Sequence, residues 1–254
     1  MKIRVINLKK INPLRHKGEM LIASIVLASI LFSFLFKINM DDYDAEAASA
    51  REMLIILDAG HGGEDVGATG ANGVYEKDLN LSLAFILGEM LVEKGFAVVY
   101  TRNEDKLLYE ETENIKGIRK ISDLKNRCKI AKNYPNALFV SIHMNTFGDS
   151  KYSGLQVYYS ANNSDSEILA GSIQSSVKKE LQPENNRNIK VGKDIYILEN
   201  IDNPAVLIEC GFLSNPEEAK KLSEKEYQKI LSFSIICGII EYMNTKKLIE
   251  KDKK

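Results

Sequence analysis

Six short apolar runs alternate with longer segments of helical period, and this alternation constrains the fold more than any other feature of the chain. The runs are "MLIIL" (53–57), "FAVVY" (96–100), "ALFVSI" (137–142), "LQVYY" (155–159), "IYIL" (195–198) and "AVLIE" (205–209). Each is short and rich in β-branched or aromatic side chains, as strands are. Between several of them lie amphipathic stretches. "EKDLNLSLAFILGEMLVEKG" (76–95) places Leu79, Leu83, Ile86 and Met90 on one face and stops at Gly95. "SDLKNRCKIAKNY" (122–134) and "SEILAGSIQSSVKKEL" (166–181) read the same way, and helices over about 216–222 and 225–243 close the chain. The pattern predicts an α/β domain: a largely parallel, six-stranded twisted sheet flanked by helices. In such sheets ligands bind outside the carboxyl ends of the strands.

The start of the chain is of another kind. Residues 20–36, "MLIASIVLASILFSFLF", carry no charge. As a helix this run spans roughly 26 Å, the short end of what a bilayer core requires. Lys37 can snorkel, and Ile38 to Met40 lengthen the span. Lys2, Arg4, Lys9, Lys10, Arg15 and Lys17 precede it, and Asp41, Asp42, Asp44 and Glu46 follow. This asymmetry places the tail in the cytoplasm and everything after Met40 outside. A cleaved signal peptide is the alternative, since "AEA" and "ASA" (45–50) resemble cleavage sites. Against it, "DDYD" separates them from a run that is long for a signal. The expected organisation is a basic tail (1–19), a transmembrane anchor or uncleaved signal (20–40), a small acidic linker (41–52), one globular domain (53–243) and a charged tail (244–254).

Composition removes several function classes. The formal net charge is −1, so no basic surface points to nucleic acid. Cys128, Cys210 and Cys237 are odd in number and form no C-x-x-C pair, so they read as buried small hydrophobes and not as a disulfide or metal framework.

The chemistry gathers where strands end. "GHGGEDVGATG" follows the first strand and sets His61 among five glycines. It matches neither a P-loop nor a dinucleotide fingerprint, and Glu64 and Asp65 would repel a phosphate. No G-x-S-x-G elbow supports a serine triad. Of the three histidines, His16 lies before the apolar span, which leaves His61 and His143 for the domain. His143 follows "ALFVSI" and Glu209 ends "AVLIE", so three reactive groups finish three different strands. Two histidines and a carboxylate form a catalytic zinc set with the fourth position left to water. Glu76, 15 residues past His61 at the start of a helix, is a candidate third ligand. On spacing alone it reads equally as a first-turn glutamate favoured by the helix dipole.

Four ordered segments, "DAGHGGED" (58–65), "YEKDLNL" (75–81), "SIHMN" (141–145) and "NPAVLIECGFLSNP" (203–216), then carry a resemblance. From about Leu54 to Tyr242 the chain resembles the zinc-dependent N-acetylmuramoyl-L-alanine amidases of the Amidase_3 type. An N-terminal anchor, a bare domain without wall-binding repeats and the charged stretch 101–127 resemble the spore-cortex, CwlD-like branch.

The resemblance implies one zinc ion per chain on His61, Glu76 and His143, with Glu209 as the catalytic glutamate. It implies hydrolysis of the amide between N-acetylmuramic acid and L-alanine in peptidoglycan, outside the cytoplasm, in cortex maturation and germination. Asp58 is a candidate either to orient His61 or to cap the loop; Asn145 and Arg187 are candidates to contact substrate, a solvated arginine being the other reading of Arg187. The partners expected are the stem peptide and glycan, and a membrane-proximal protein helper that steadies Glu76 and tightens the zinc. Two other readings are a non-catalytic wall-binding module and a zinc peptidase cutting within the stem peptide.

Overall fold

The computed structural model describes residues 53–252. Strands β1 (Leu54–Ala59), β2 (Ala97–Tyr100), β3 (Leu138–Asn145), β4 (Gln156–Tyr159), β5 (Lys190–Val191) and β6 (Ala205–Phe212) form one sheet. Helices α1 (Glu76–Glu93), α2 (Arg119–Asn133), α3 (Asp165–Glu180), α4 (Tyr196–Asn200), α5 (Pro216–Ser223) and α6 (Lys225–Asp252) cover its two faces. The tail, apolar span and linker expected over 1–52 lie outside the described residues. Among the described residues no helix is long and apolar enough to cross a membrane.

The strand order is β2-β1-β3-β6-β4-β5, parallel throughout except that β4 runs antiparallel to β6. From β1 the chain crosses to β2 on one side and then returns to β3 on the other. The crevice of such a sheet opens where this reversal occurs, at the carboxyl ends of β1 and β3. Both sheet faces are buried, which is why the central strands read as continuous apolar runs. On one face Ile55, Leu57, Val140, Ile142, Val206 and Ile208 pack with α1, α3 and α6. On the other, Ile56, Phe139 and Leu207 pack with Cys128 and Ala131 of α2 and Ile197 and Leu198 of α4. The three cysteines are free; Cys128 and Cys210 are buried as expected, whereas Cys237 is half-buried.

Three sequence expectations need correction. "IYIL" is not a strand: Tyr196–Asn200 is a helical turn. Its adjacent Ile197 and Leu198 are both buried in one cluster, whereas a strand would send them to opposite faces. The outer strand is instead the two-residue β5, paired with Tyr158 and Tyr159. The segment 244–252 is no separate tail but the last turns of α6, built from good helix formers and tied by Lys246 Nζ to Asp165 Oδ2 at 2.7 Å. Finally, the buried stripe of α1 is Leu79, Leu83, Leu87 and Leu91, with Ile86 and Met90 only half-buried. The stripe is rotated because Glu76, Asn80 and Ala84 share the inward side.

Helices α3 and α6 meet closely at Gly238, where an added Cβ would lie 2.5 Å from the Ile173 Cα. Backbone cannot yield as a flexible side chain would, so Gly238→Ala should destabilise by about 1–3 kcal/mol despite alanine's better helix propensity. Thermal melting of the full-length protein and Gly238→Ala measures this; an unchanged midpoint would contradict the close packing.

Candidate metal centre

On the α2 side of the sheet the apolar pattern gives way at the carboxyl end. Ile56 is followed two residues later by Asp58, Phe139 by Ser141 and then His143, and Leu207 by Glu209. Side chains two apart share a face, so these polar groups stand over one end of one face. His143 is the register partner of Glu209 in the β3–β6 ladder, just before a register shift at His143/Asn145.

His61 reaches the same place through a left-handed turn. Its φ is +60°, unusual for a residue with a Cβ, and Gly62, Gly63 and Gly67 that follow also have positive φ. The loop then returns to α1, since Glu76 N donates to Ala68 O and Lys77 N to Val66 O. Two glycines are needed for space as well. A Cβ on Gly60 would lie 2.1 Å from His143 Nε2, and one on Gly67 would lie 2.5 Å from Glu76 Oε2.

Ligating atoms of His61, Glu76 and His143 all lie within 4.8 Å of one another. Glu76 Oε1 is 3.2 Å from His61 Nε2 and 2.9 Å from His143 Nδ1, so both rings turn a nitrogen toward the same point. The carboxylate is held from within the chain: Ala68 N donates to Oε2 at 2.8 Å and Met144 N to Oε1 at 3.0 Å. Asn80 Nδ2 also reaches Oε1 at 3.4 Å, and donates to Gly60 O at 3.1 Å. Glu76, which the expected helper would steady, is thus already held by four internal restraints, counting its own backbone bond to Ala68.

The electrostatics separate two glutamates. Burial would raise the Glu76 carboxyl, but His143 and His61 outweigh it and hold it well below the ordinary range. Glu209 keeps no such partner. Its Oε2 is buried without a hydrogen bond among the described residues, although the residue as a whole is part-exposed. Burial, helped by the Glu76 charge, pushes Glu209 up to about 7, against the pull of His143 and His61. Burial works against a proton on His61, yet the Asp65 and Glu76 carboxylates prevail and push its pKa up to about 9.

Asp58 is not the group beside the His61 ring. Its carboxylate accepts from Thr101 Oγ1 at 2.7 Å, Ser141 Oγ at 2.6 Å and Arg127 at 2.6 Å. Burial disfavours its charge, but Arg127 and the two hydroxyls hold its pKa below the ordinary value. The residue beside His61 Nδ1 is Asp65, with Oδ2 3.0 Å away but off the hydrogen-bond line, and Lys120 Nζ lies 3.1 Å from the same oxygen. The sequence offers Asp65 only as a charge that would repel a phosphate; its i, i+4 spacing from His61 is the signal that could have paired the two.

Asn145 ends β3, part-exposed, with its carbonyl accepting from Leu213 N at 2.8 Å. Arg187 lies on the other side of Glu209. Its Nε donates to Ser153 O at 2.8 Å, its guanidinium stacks 4.4 Å from the Phe212 ring, and it reaches Gln156 Oε1 at 3.5 Å. Gln156 is the cross-strand partner of Glu209. Arg187 also borders a groove of about 940 Å³ that includes Lys151, Tyr152, Glu184, Glu218 and Lys221.

Residues 55–241 match the Amidase_3 family, described as N-acetylmuramoyl-L-alanine amidase. The germination-specific N-acetylmuramoyl-L-alanine amidase of Bacillus subtilis is 36% identical over 226 residues, covering 88% of this chain and 94% of that one. Among solved structures, the CwlD amidase from Clostridioides difficile in complex with the GerS lipoprotein is 41% identical. It superposes with a TM-score of 0.73 over 76% of this chain and all of that one, 100%. The catalytic domain of the amidase CwlV from Bacillus (Paenibacillus) polymyxa is 32% identical, with a TM-score of 0.63 over 76% and 98% of the two chains.

The contact between Gly60 and the His143 ring gives a direct test of the convergence. Gly60→Ala should displace that ring and lower bound divalent metal in the purified full-length protein, with the far-ultraviolet circular dichroism unchanged. Gly148→Ala, whose Cβ meets nothing within 4 Å, is the control and should keep its metal. Elemental analysis reads both; equal metal in the two variants would refute the expectation.

Proposed function

The chain belongs to the Amidase_3 family of N-acetylmuramoyl-L-alanine amidases, and on that premise we propose how its own residues carry out the hydrolysis and where it is used. The observation that carries the reading is the convergence of His61, Glu76 and His143 within 4.8 Å, beside the unpartnered Oε2 of Glu209. Two imidazoles and one carboxylate are a donor set that suits a catalytic zinc. Bound there, zinc would polarise the scissile carbonyl and make water acidic enough to attack near neutral pH.

The remaining steps fall to side chains. Glu209 takes a proton from the attacking water and returns it to the amine of L-alanine as the amide breaks. Its raised pKa suits both halves of that exchange, since it neither holds nor releases the proton too strongly. Glu76 cannot share this task, because its carboxylate already accepts from two backbone amides and faces both histidines. Asn145 and Arg187 flank the centre and contact substrate, Arg187 meeting a carboxylate of the stem peptide as a planar fork. Asp65, and not Asp58, is the carboxylate that stands beside the His61 ring.

The biological setting follows from similarity to the germination-specific amidase and to CwlD. Cleavage of spore-cortex peptidoglycan, in maturation and germination, is the proposed role. The domain would act outside the cytoplasm on a retained anchor over residues 20–40. A protein partner is proposed too, since the CwlD neighbour was solved in complex with the GerS lipoprotein.

Two variants test the assignment of roles. His143→Ala should lose both zinc and activity. Glu209→Gln should keep stoichiometric zinc but lose about two to four powers of ten in turnover, the usual worth of general acid–base help. Zinc retained in His61→Ala/His143→Ala, or near-normal turnover in Glu209→Gln, would refute the respective role. Mass spectrometry of digested muropeptides identifies the bond: free lactyl groups mean the amide was cut, shortened peptides mean an endopeptidase.

Protease treatment of intact cells tests the setting. The domain should be removed, leaving residues 1–40 with the membrane. A mature chain starting near Ala48 or Arg51 would show a cleaved signal instead.

A further inference from the structure

The turn that carries His61 is fastened by two buried arginines, of which Arg127 also lines the small pocket beside His61 and His143. Arg102 and Arg127 are 2% and 1% exposed. Between them they occupy three consecutive backbone carbonyls. Ala59 O accepts from Arg102 Nε and from Arg127, each at 2.8 Å. Gly60 O accepts from Arg102 at 3.0 Å, and His61 O from Arg127 at 2.8 Å. Arg102 also reaches forward to Lys77 O at 2.8 Å, in the first turn of α1 beside Glu76. One guanidinium therefore joins the His61 turn to the helix start that presents Glu76.

The charges are balanced inside the fold. Arg127 lies between Asp58 Oδ1, at 2.6 Å, and Asp123 Oδ2, at 2.8 Å. Buried ion pairs rarely add stability over a well-packed apolar core, since both charges lose their water. Stability alone is thus a weak reason to bury two guanidiniums here. What they do supply is directed donors, aimed at a backbone segment whose ligand residue sits at φ +60°.

We propose that Arg102 and Arg127 are positioning residues of the metal site, holding the His61 turn and the start of α1 in ligating geometry before any ion arrives. This rests on the reading that His61, Glu76 and His143 hold the metal. Binding need not then order the loop, and metal affinity depends on the fork geometry of the two side chains. Lysine keeps the charge but is a single point donor, so it cannot span Asp58, Asp123, Ala59 O and His61 O together.

The test compares full-length protein with Arg127→Lys and Arg102→Lys, each freed of metal and then titrated with zinc. Chelator competition should show zinc bound about 10- to 100-fold more weakly in each, the range seen when groups supporting a ligand are lost. Melting with and without zinc separates positioning from simple destabilisation. A ligand raises the melting temperature according to its affinity, so loss of positioning narrows the gap between the two curves. A general loss of stability lowers both curves and leaves the gap intact; Leu231→Ala, in the core among α6 residues, calibrates that case. Zinc affinity within a factor of about two of the parent, with an unchanged gap, would overturn the proposal. Should Arg127→Lys fail to fold, Arg102→Lys, which keeps the Asp58–Arg127 pair, decides alone. His61→Ala is run alongside: if it binds zinc as tightly as the parent, the ligand assignment has failed, and the proposal fails with it.

Discussion

Asp58 and Arg127 form an ion pair that water does not reach, 2.6 Å apart and 0% and 1% exposed. It sits at the crevice between β1 and β3, under the turn that carries His61. One partner comes from β1 and the other from α2, 69 residues later. Around it gather the hydroxyls of Thr101 from the end of β2 and Ser141 from β3. Three neighbouring strands and a helix are thereby brought to one register at one point. An unpaired charge there would be strongly destabilising, so the pair admits few alternative packings.

The geometry above this pair divides two glutamates by their surroundings. Glu76 is satisfied by backbone amides and faced by imidazoles, so it stays charged and fixed. Glu209, on β6, has its Oε2 buried without a hydrogen bond among the described residues, and its pKa is raised. The same side chain is thus a fixed anion in one position and, in the proposed mechanism, a proton carrier in the other, and the surroundings make the difference. The glycines have a comparable spatial logic. Gly60 and Gly67 leave room where the His143 ring and the Glu76 carboxylate close in, and a methyl at either position would occupy that room.

Much of this was legible in the chain as written. Strand–helix alternation specifies the α/β class because the two periods, two and 3.6, leave distinct marks on an amphipathic pattern. Five of the six strands were located from apolar runs. The sixth failed because a four-residue apolar run fits a buried helical turn as well as a strand. His61, His143 and Glu209 could be placed at strand ends, and the ordered motifs singled out the family. Glu76 remained ambiguous on spacing alone, since a first-turn glutamate needs no metal to explain it.

What the sequence by itself determined is therefore local: which segments are strands or helices, which residues carry chemistry, and that three of these residues lie near strand ends, although β1 stops at Ala59 and β3 and β6 run on past His143 and Glu209. Only the tertiary structure decided which groups meet. Spacing along a chain does not say that Asp58 turns to Arg127 and leaves the His61 ring to Asp65. It does not say that arginines from the end of β2 and from α2 share the carbonyls of a turn some 40 to 70 residues away. Such contacts depend on strand order and helix placement, which are set by the burial of both sheet faces together. The periodicity of any one segment records only that it has an inside, not what it will find there.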